Sequence, residues 1–312
     1  MRILVTGGAG FIGSHVVDAL IAAGHRVVVV DDLSTGRQEN VHPEATFYPV
    51  DITSPQLREV FARERPEVIS HHAAQVDVRH SMADPLHDAR CNILGSIYLL
   101  ECAREYGVRK VIYSSSGGAI YGEPLYLPCD EDHPIRPLSP YGASKYAVEQ
   151  YLYLYRQNYG LDYTILRYPN VYGPRQDPYG EAGVVAIFAG QMLNGGTPVI
   201  YGSGEQERDF LYVEDCAHAN LLVLERGSGR VYNLGTGVGT SVNRLFLLLK
   251  EITGYPGDPV YGPARAGETF RIYLDASRAR NELGWRPLVP LEEGLRRTIA
   301  FLKSWGSFRA GG

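Results

Sequence analysis

The stretch SPYGASKYAVEQY, residues 139–151, sets Tyr141 and Lys145 four positions apart at the start of a helical pattern. Four residues of α-helix turn about 400°, so both side chains leave one face. The two residue types suit proton transfer. A free tyrosine titrates near pH ~10 and must come down by about 3 units, roughly 4 kcal/mol, to act as a base at neutral pH. An ammonium about 5 Å away, at an effective dielectric near 20, contributes on the order of 3 kcal/mol toward that. The competing reading is an exposed Tyr–Lys helix pair with no chemistry. A second cluster, YSSSGGAIYG at 113–122, ends a strand-like run in three hydroxyls. Strand alternation sends Ser114 and Ser116 to one face and Ser115 to the other. Ser116 is last and is the candidate that meets Tyr141, with Ser115 as the alternative.

A third group concerns phosphate. TGGAGFIGSH, residues 6–15, spaces Gly7, Gly10 and Gly13 as GxxGxxG between the first apolar run and the first helical pattern. Glycines there permit a tight turn and bring backbone N–H groups and a helix N-terminus to a pyrophosphate. Asp31 ends the next apolar run, about 18 residues past Gly13. A carboxylate at that place binds ribose hydroxyls and repels a 2′-phosphate, so the expected cofactor is NAD rather than NADP. Asp32 is either a helper or solvated, and Asp51 and Ile52 are expected beside the adenine. Arg37 is the contrary sign, since a guanidinium in this loop suits a phosphate.

These groups need elements that bring them together. Short Val/Ile-rich runs (2–6, 26–31, 46–50, 67–71, 110–116 and 162–169) alternate with helical patterns near 12–23, 55–64, 86–106 and 141–159. Continuous apolar strands separated by helices predict a parallel sheet covered on both faces, an α/β doubly wound Rossmann-type fold. Such sheets bind ligands at the carboxyl ends of their strands, where the candidates converge. After Pro169 the texture turns Gly-, Pro- and Asn-rich. FLYV (210–213) and VYNLG (231–235) read as strands returning to the sheet, and helices are expected near 184–194, 215–225, 241–254, 276–283 and 291–304. The expected division is a dinucleotide-binding domain at 1–169, with 201–239 partly returning to it, and a smaller substrate-binding domain mainly within 170–312.

Bulk properties narrow the class. A net charge of -5 offers no electrostatic footprint for nucleic acid or an anionic membrane. Cys91, Cys102, Cys129 and Cys216 show no metal-type spacing, so reduced, packed thiols and no metal site are expected. No apolar run approaches the ~18–20 residues of a membrane span. A strand-like run begins at residue 2, so no signal peptide is expected and the protein reads as cytoplasmic. Lysine is scarce: Lys110, Lys145, Lys250 and Lys303 are the four.

In order and spacing TGGAGFIGSH, Asp31, HHAAQVDVRHS (71–81), YSSSGGAIYG and SPYGASK resemble the extended short-chain dehydrogenase/reductase family. Within it the chain is most similar to the UDP-glucose 4-epimerases. LRYPNVYGP (166–174), GEQERDFLYVED (204–215), YNLGTGVGTSV (232–242) and YLDASRARNELGW (273–285) carry the likeness to the C-terminus.

The resemblance implies that NAD stays bound while a UDP-sugar is oxidised at carbon 4, turned about its phosphate link and reduced on the opposite face. It gives Tyr141 the 4-hydroxyl proton, Ser116 a relay and Lys145 the tyrosine and the ribose. It adds Phe11 and Ile12 to the glycine loop as cofactor neighbours. Ala73, Ala74, Gln75, Ser114 and Tyr168 join them along the strand ends. Asn92 is implied at the nicotinamide end, with a plain helix amide bonded to backbone as the alternative. For the nucleotide sugar it implies Asn170, Tyr201, Arg208, Arg265 and Glu268, with Val185 and Val242 assisting. Two arginines for two phosphates make physical sense, because guanidinium forks match phosphate oxygens.

There are departures. Val76 stands where many epimerases carry a lysine, leaving Gln75 as a substitute contact. Ile272 stands where some members carry a bulky aromatic, which would leave room for an N-acetylated sugar. Tyr151, Tyr155 and Tyr159 form a stripe, and family members dimerise through this helix and the 86–106 helix, so a homodimer is expected. Rival readings are an epimerase of UDP-glucuronate or UDP-xylose, a dehydratase, a dehydrogenase or reductase, and an NAD-sensing protein without catalysis. A dehydratase needs an acid–base pair just after the hydroxyl, and this chain has Gly117–Gly118 there.

Overall fold

The computed structural model describes residues 1–178, 183–264 and 269–309. The chain opens with β1 (Arg2–Thr6), α1 (Phe11–Ala22), β2 (Arg26–Val30), β3 (Thr46–Tyr48), α2 (Gln56–Glu64) and β4 (Val68–His71). Two short helices follow, α3 (Val78–Ala83) and α4 (Pro85–Asp88). A π-helical segment, Ala89–Leu94, leads into α5 (Gly95–Glu105). Then come β5 (Lys110–Ser116), α6 (Pro140–Tyr159), β6 (Asp162–Tyr168), β7 (Asn170–Tyr172), α7 (Val184–Leu193), β8 (Val199–Tyr201), β9 (Glu207–Arg208) and β10 (Phe210–Tyr212). The chain continues through α8 (Val213–Leu222), β11 (Arg230–Asn233), β12 (Thr240–Ser241), α9 (Val242–Thr253), β13 (Val260–Gly262), β14 (Arg271–Ile272), α10 (Ser277–Leu283) and α11 (Leu291–Arg309).

Seven strands form one parallel sheet in the order β11-β6-β5-β4-β1-β2-β3. Its inner strands carry Val-, Ile- and Leu-rich stretches because both faces are covered. Ile3, Val5 and Val29 pack with Val16, Val17, Cys216 and Ala279 on the face of α1, α8 and α10. Leu4, Val28 and Ile69 pack with Leu57, Leu99 and Val148 on the face of α2, α5 and α6. A third core joins α7, α9, α11, β8 and β10 through Phe188, Phe246, Ile200, Phe210 and Leu295.

Local signals set the helix ends. The Ser139 hydroxyl accepts the Gly142 N–H, Pro140 occupies the first turn of α6, and Gly160 closes it in the left-handed region. Ser241 and Gly254 do the same for α9.

Two expectations need correction. The predicted continuous helix over 86–106 is broken, because Asp84 caps a new start at Pro85 and the chain then widens into π turns. FLYV does not return to the main sheet: β10 pairs with β7 in a separate two-stranded sheet, and only VYNLG joins, as β11 beside β6. The small sheets β12-β9-β14 and β13-β8, beside the third core, were not anticipated.

Candidate active site

The glycine loop is built around close backbone contact. Gly7 has φ +69°, and a Cβ there would lie 2.7 Å from the Ala73 nitrogen. At Gly13 a Cβ would lie 2.1 Å from the Gly7 carbonyl oxygen, so α1 packs on the loop only through glycine. Gly10 is the N-cap of α1, and neither a side-chain cap nor a first-turn acid occupies that end. Phe11 and Ile12 are its first helical residues. The cradle fits a pyrophosphate.

Asp31 lies at the end of β2 with both oxygens engaged: Oδ2 accepts the Ala9 N–H at 3.0 Å and Oδ1 the Leu33 N–H at 2.9 Å. Burial holds its carboxyl above the usual range, opposed by those backbone N–H groups. Each carboxylate oxygen still has acceptor capacity for a hydroxyl. Asp32 caps its own turn, accepting from the Ser34 N–H at 3.0 Å and hydroxyl at 2.7 Å. Asp51 accepts the Thr53 N–H at 2.7 Å, and Ile52 packs beside Gly95. Arg37 is committed: it pairs with Asp177 at 2.5 Å and Glu39 at 3.6 Å, and its guanidinium sits 4.6 Å from the Trp305 ring centre. The contrary sign for a 2′-phosphate thus has a local explanation.

The three serines of β5 part company. Ser116 ends the strand on the Tyr141 side, and its hydroxyl is near enough to oppose the upward shift of that phenol. Ser115 turns the other way and donates to Glu149 Oε1 at 2.6 Å, while Glu149 pairs with buried Arg167 at 2.6 Å. The Ser114 carbonyl accepts from Lys145 Nζ at 2.9 Å. Lys145 and Glu149 therefore fasten α6 to successive points of β5. Lys145 is 3% exposed, and its Nζ lies 5.1 Å from the Tyr113 ring centre and 5.9 Å from that of Tyr141.

Burial dominates the protonation of both groups. It pushes the Tyr141 phenol up to about 12, with the Ser116 hydroxyl opposing and Asp88 adding. It pushes the Lys145 ammonium down to about 8, with Asp88 opposing. The charge arithmetic from sequence anticipated a lowered tyrosine, but it contained no term for the desolvation that the fold imposes.

Asn92, carried by the π segment, is spent on the protein. Its Oδ1 accepts the Gln75 N–H at 2.8 Å, and its Nδ2 lies 2.9 Å from the Gln75 carbonyl, 3.0 Å from Asp88 Oδ1 and 3.2 Å from Ser144 Oγ. The Asn92 side chain is thus bonded to the Gln75 backbone and shapes this part of the site through it. Ala73 backs the glycine loop, its N–H donating to Thr6 Oγ1 at 3.2 Å, and Ala74 follows it between loop and Gln75. Val76 is 50% exposed. The Gln75 amide is turned onto Asp77 and Asp88. Tyr168 is buried in the core with its hydroxyl accepting from Asn220 at 2.8 Å.

On the sugar side Asn170 stands close to Ser116. A Cβ on Gly118 would lie 3.7 Å from Asn170 Oδ1 and 4.0 Å from Ser116 Oγ. A Cβ on Gly117 would lie 2.4 Å from Leu274 Cδ1, so no acidic side chain fits there without movement of Leu274. Arg208 NH1 donates to the carbonyls of Glu207 at 2.9 Å and Phe270 at 3.3 Å. Next to it buried Asp209, unnoticed in the sequence, gathers the N–H groups of Thr236, Gly237 and Leu274. Tyr201 is linked to this edge by Gln206, which donates to its carbonyl at 2.8 Å and accepts the Val242 N–H at 3.2 Å. Val185 and Val242 are buried in the third core. Ile272 is 3% exposed and packed with Ile120, Tyr121 and Leu274. Arg265 and Glu268 lie outside the described residues.

Known proteins share this sequence and fold over nearly the whole chain. The model of the NAD dependent epimerase/dehydratase family matches residues 3–235. A putative UDP-glucose 4-epimerase of Methanocaldococcus jannaschii is 50% identical over 302 residues, 97% of this chain and 98% of that one. The crystal structure of a Thermotoga maritima UDP-glucose 4-epimerase with UDP-glucose superposes with a TM-score of 0.96 at 53% identity, covering 98% and 99% of the two chains. The Thermus thermophilus UDP-glucose 4-epimerase in complex with NAD gives 0.93 at 45% identity, covering 97% and 99%. The chain that carries this glycine loop, the acid after β2 and the Ser116, Tyr141 and Lys145 side chains near the end of β5 belongs to the NAD dependent epimerase/dehydratase family.

Proposed function

We propose that the protein is an isomerase that interconverts UDP-glucose and UDP-galactose by reversible epimerisation at carbon 4, through a 4-keto sugar and with NAD retained. The observation that carries this reading is buried Lys145 at the carboxyl end of β5, its Nζ 2.9 Å from the Ser114 carbonyl and 5.9 Å from the Tyr141 ring centre, with Ser116 ending the same strand and no acid at Gly117 or Gly118. When bound, NAD supplies a hydride acceptor that gives the hydride back, and in its oxidised form a positive charge in the site. Gly7, Gly10 and Gly13 would hold its pyrophosphate and Asp31 its ribose hydroxyls. Ser116 orients the 4-hydroxyl, and Tyr141 takes its proton as the carbonyl forms and returns it as the carbonyl is reduced. Lys145 holds the phenol's environment positive and is fixed by the Ser114 carbonyl. Return of the hydride to carbon 4 leaves no net redox change, and return of the proton from Tyr141 to the same oxygen leaves no net acid–base change, as epimerisation requires.

In this reading the seven-stranded sheet binds the dinucleotide, and the elements after β7, apart from those on the sheet, bind the UDP-sugar. Asn170, Tyr201 and Arg208 are its polar contacts and Val185 and Val242 form the floor behind them. The enzyme is cytoplasmic; among the described residues no helix is long and apolar enough to cross a membrane. A homodimer through α5 and α6 is supported by Tyr153, Leu154 and Tyr159, which α6 leaves exposed, whereas Tyr155 is spent on Glu101. Monomeric mass by light scattering at micromolar protein would overturn that part. The reading as a whole is tested by incubation with UDP-galactose, UDP-glucose, UDP-GlcNAc and UDP-glucuronate without added NAD. Conversion of the first pair is expected, and conversion of none refutes it.

A further inference from the structure

Glu149 and Arg167 are 3% and 4% exposed, and neither takes part in the proton path described above. Glu149 lies on α6 at the same four-residue spacing beyond Tyr141 and Lys145, so the three side chains leave one side of the helix. Arg167 stands on β6 directly beside Ser115 on β5. Its fork closes on both carboxylate oxygens: Nε donates to Oε1 at 3.0 Å and a terminal nitrogen to Oε2 at 2.6 Å. The Ser115 hydroxyl adds a bond to Oε1 at 2.6 Å. One turn earlier on the helix, Lys145 reaches the Ser114 carbonyl at 2.9 Å. One side of α6 is thus fixed to two adjacent strands.

The other end of the Arg167 fork fixes the turn after Ser116. The Ser116 carbonyl accepts the Ala119 N–H at 3.3 Å and the Ile120 N–H at 3.2 Å, and Tyr121 follows. Arg167 donates to the Tyr121 hydroxyl at 2.9 Å, and that hydroxyl donates to Asn233 Oδ1 on β11 at 2.7 Å. Ser116 therefore sits between two residues, Ser115 and Tyr121, that both end on this pair. Stability alone does not account for it. Desolvation offsets most of the attraction between buried charges, and an apolar pair of similar volume is commonly as stable. A planar fork on a carboxylate instead fixes direction and separation.

We propose that Glu149 and Arg167 are positioning residues for the proton-transfer set: their buried pair locks α6 to the end of β5, holding Tyr141 and Lys145 in register with Ser116. This rests on the roles given to Ser116, Tyr141 and Lys145 above and adds two residues outside that set. With the pair replaced by apolar side chains, α6 keeps its packing through Val148 and Leu152 but loses the bonds that set its slide along the strand. A displacement of about 1 Å at reacting groups is enough to lower a rate by on the order of 10²-fold.

The test is the double substitution Glu149→Leu with Arg167→Met in the full-length protein carrying NAD. It should melt close to wild type, keep its NAD and its KM, and lose kcat by about 10–10²-fold. The isotope effect on kcat with UDP-glucose deuterated at carbon 4 should rise, because hydride transfer becomes limiting. Amide hydrogen exchange at residues 114–118 should quicken by about tenfold or more while β1 and β2 stay protected, a local pattern that general loosening does not produce. Unchanged kcat, or unchanged exchange at these amides, in the folded double variant overturns the proposal. Where the double variant does not fold, Arg167→Lys, which keeps the charge and gives up the fork, is read the same way, with a kcat loss of about tenfold expected. Failure of both to fold makes the pair a stability element and overturns the proposal as well. If the wild-type protein epimerises no sugar, the functional reading fails while amide exchange still decides whether the pair holds the strand end.

Discussion

Ser115 donates its hydroxyl to Glu149 at 2.6 Å, on the face of β5 opposite the one that Ser114 and Ser116 share. One strand thus presents neighbouring serines to opposite faces, and α6 fastens Ser115 through Glu149 and the Ser114 carbonyl through Lys145. Glu149 is held in turn by Arg167, whose NH1 also donates to the Tyr121 hydroxyl at 2.9 Å. The strand end that carries Ser116 is pinned from behind by a buried ion pair.

Substitution should separate the two roles. Ser116→Ala is expected to lower kcat by about 10²-fold or more with NAD content and melting temperature preserved. Ser115→Ala leaves an acceptor of Glu149 short of a donor and should cost about 1–3 kcal/mol of stability, with kcat within several-fold of wild type. Steady-state kinetics beside thermal melts read both.

The depressed Lys145 ammonium makes a stability prediction with a definite sign. Folded and unfolded lysine are both charged below pH about 8, where the folded state carries the full burial cost. Between about 8 and the ordinary 10.5 the folded lysine is neutral and the unfolded one charged, so the unfolded state binds more protons and stability rises with pH. Relative to Lys145→Met, the wild-type protein should gain up to about 3 kcal/mol across this window. Urea unfolding of both at several pH values from 7 to 10 checks it (about 1 M salt minimises surface terms).

Cofactor choice should depend on Arg37 being occupied. Asp31→Ser alone is expected to weaken NAD by about tenfold without creating NADP binding, because Arg37 stays on Asp177. Adding Asp177→Ala should let NADP bind. Calorimetric titration of apo-protein with each dinucleotide distinguishes the steps.

Gly13→Ala tests the cradle. Its Cβ would fall 2.1 Å from the Gly7 carbonyl oxygen, so the loop must move. NAD retention on purification, read from the 260/280 nm absorbance ratio, should be lost.

The parts that sequence could reveal are those whose residue type is dictated locally. Gly7 and Gly13 are required by backbone contact, Asp31 by its place at a strand end, and Tyr141 and Lys145 by helical spacing. Ser139, Pro140 and Gly160 mark the helix that carries them. What stayed hidden depends on distant packing. Asp88 becomes a buried anion only because the chain breaks at Asp84 and widens into π turns around Asn92. The direction of the Tyr141 shift depends on desolvation by the whole fold. β9, β12 and β14 are two residues long and carry no periodicity to read. β10 reads as apolar wherever it packs, and its pairing with β7 rather than the main sheet is decided by register.

Hydrogen that leaves carbon 4 of the sugar should return to the same carbon, under the control of Tyr141. UDP-glucose deuterated at carbon 4, incubated in ordinary water with the purified protein and no added cofactor, tests this most directly. The expected product is UDP-galactose with the deuterium retained at carbon 4, and none of it from Tyr141→Phe protein that still carries NAD. Product with hydrogen from solvent at carbon 4, or undiminished conversion by Tyr141→Phe, would contradict it.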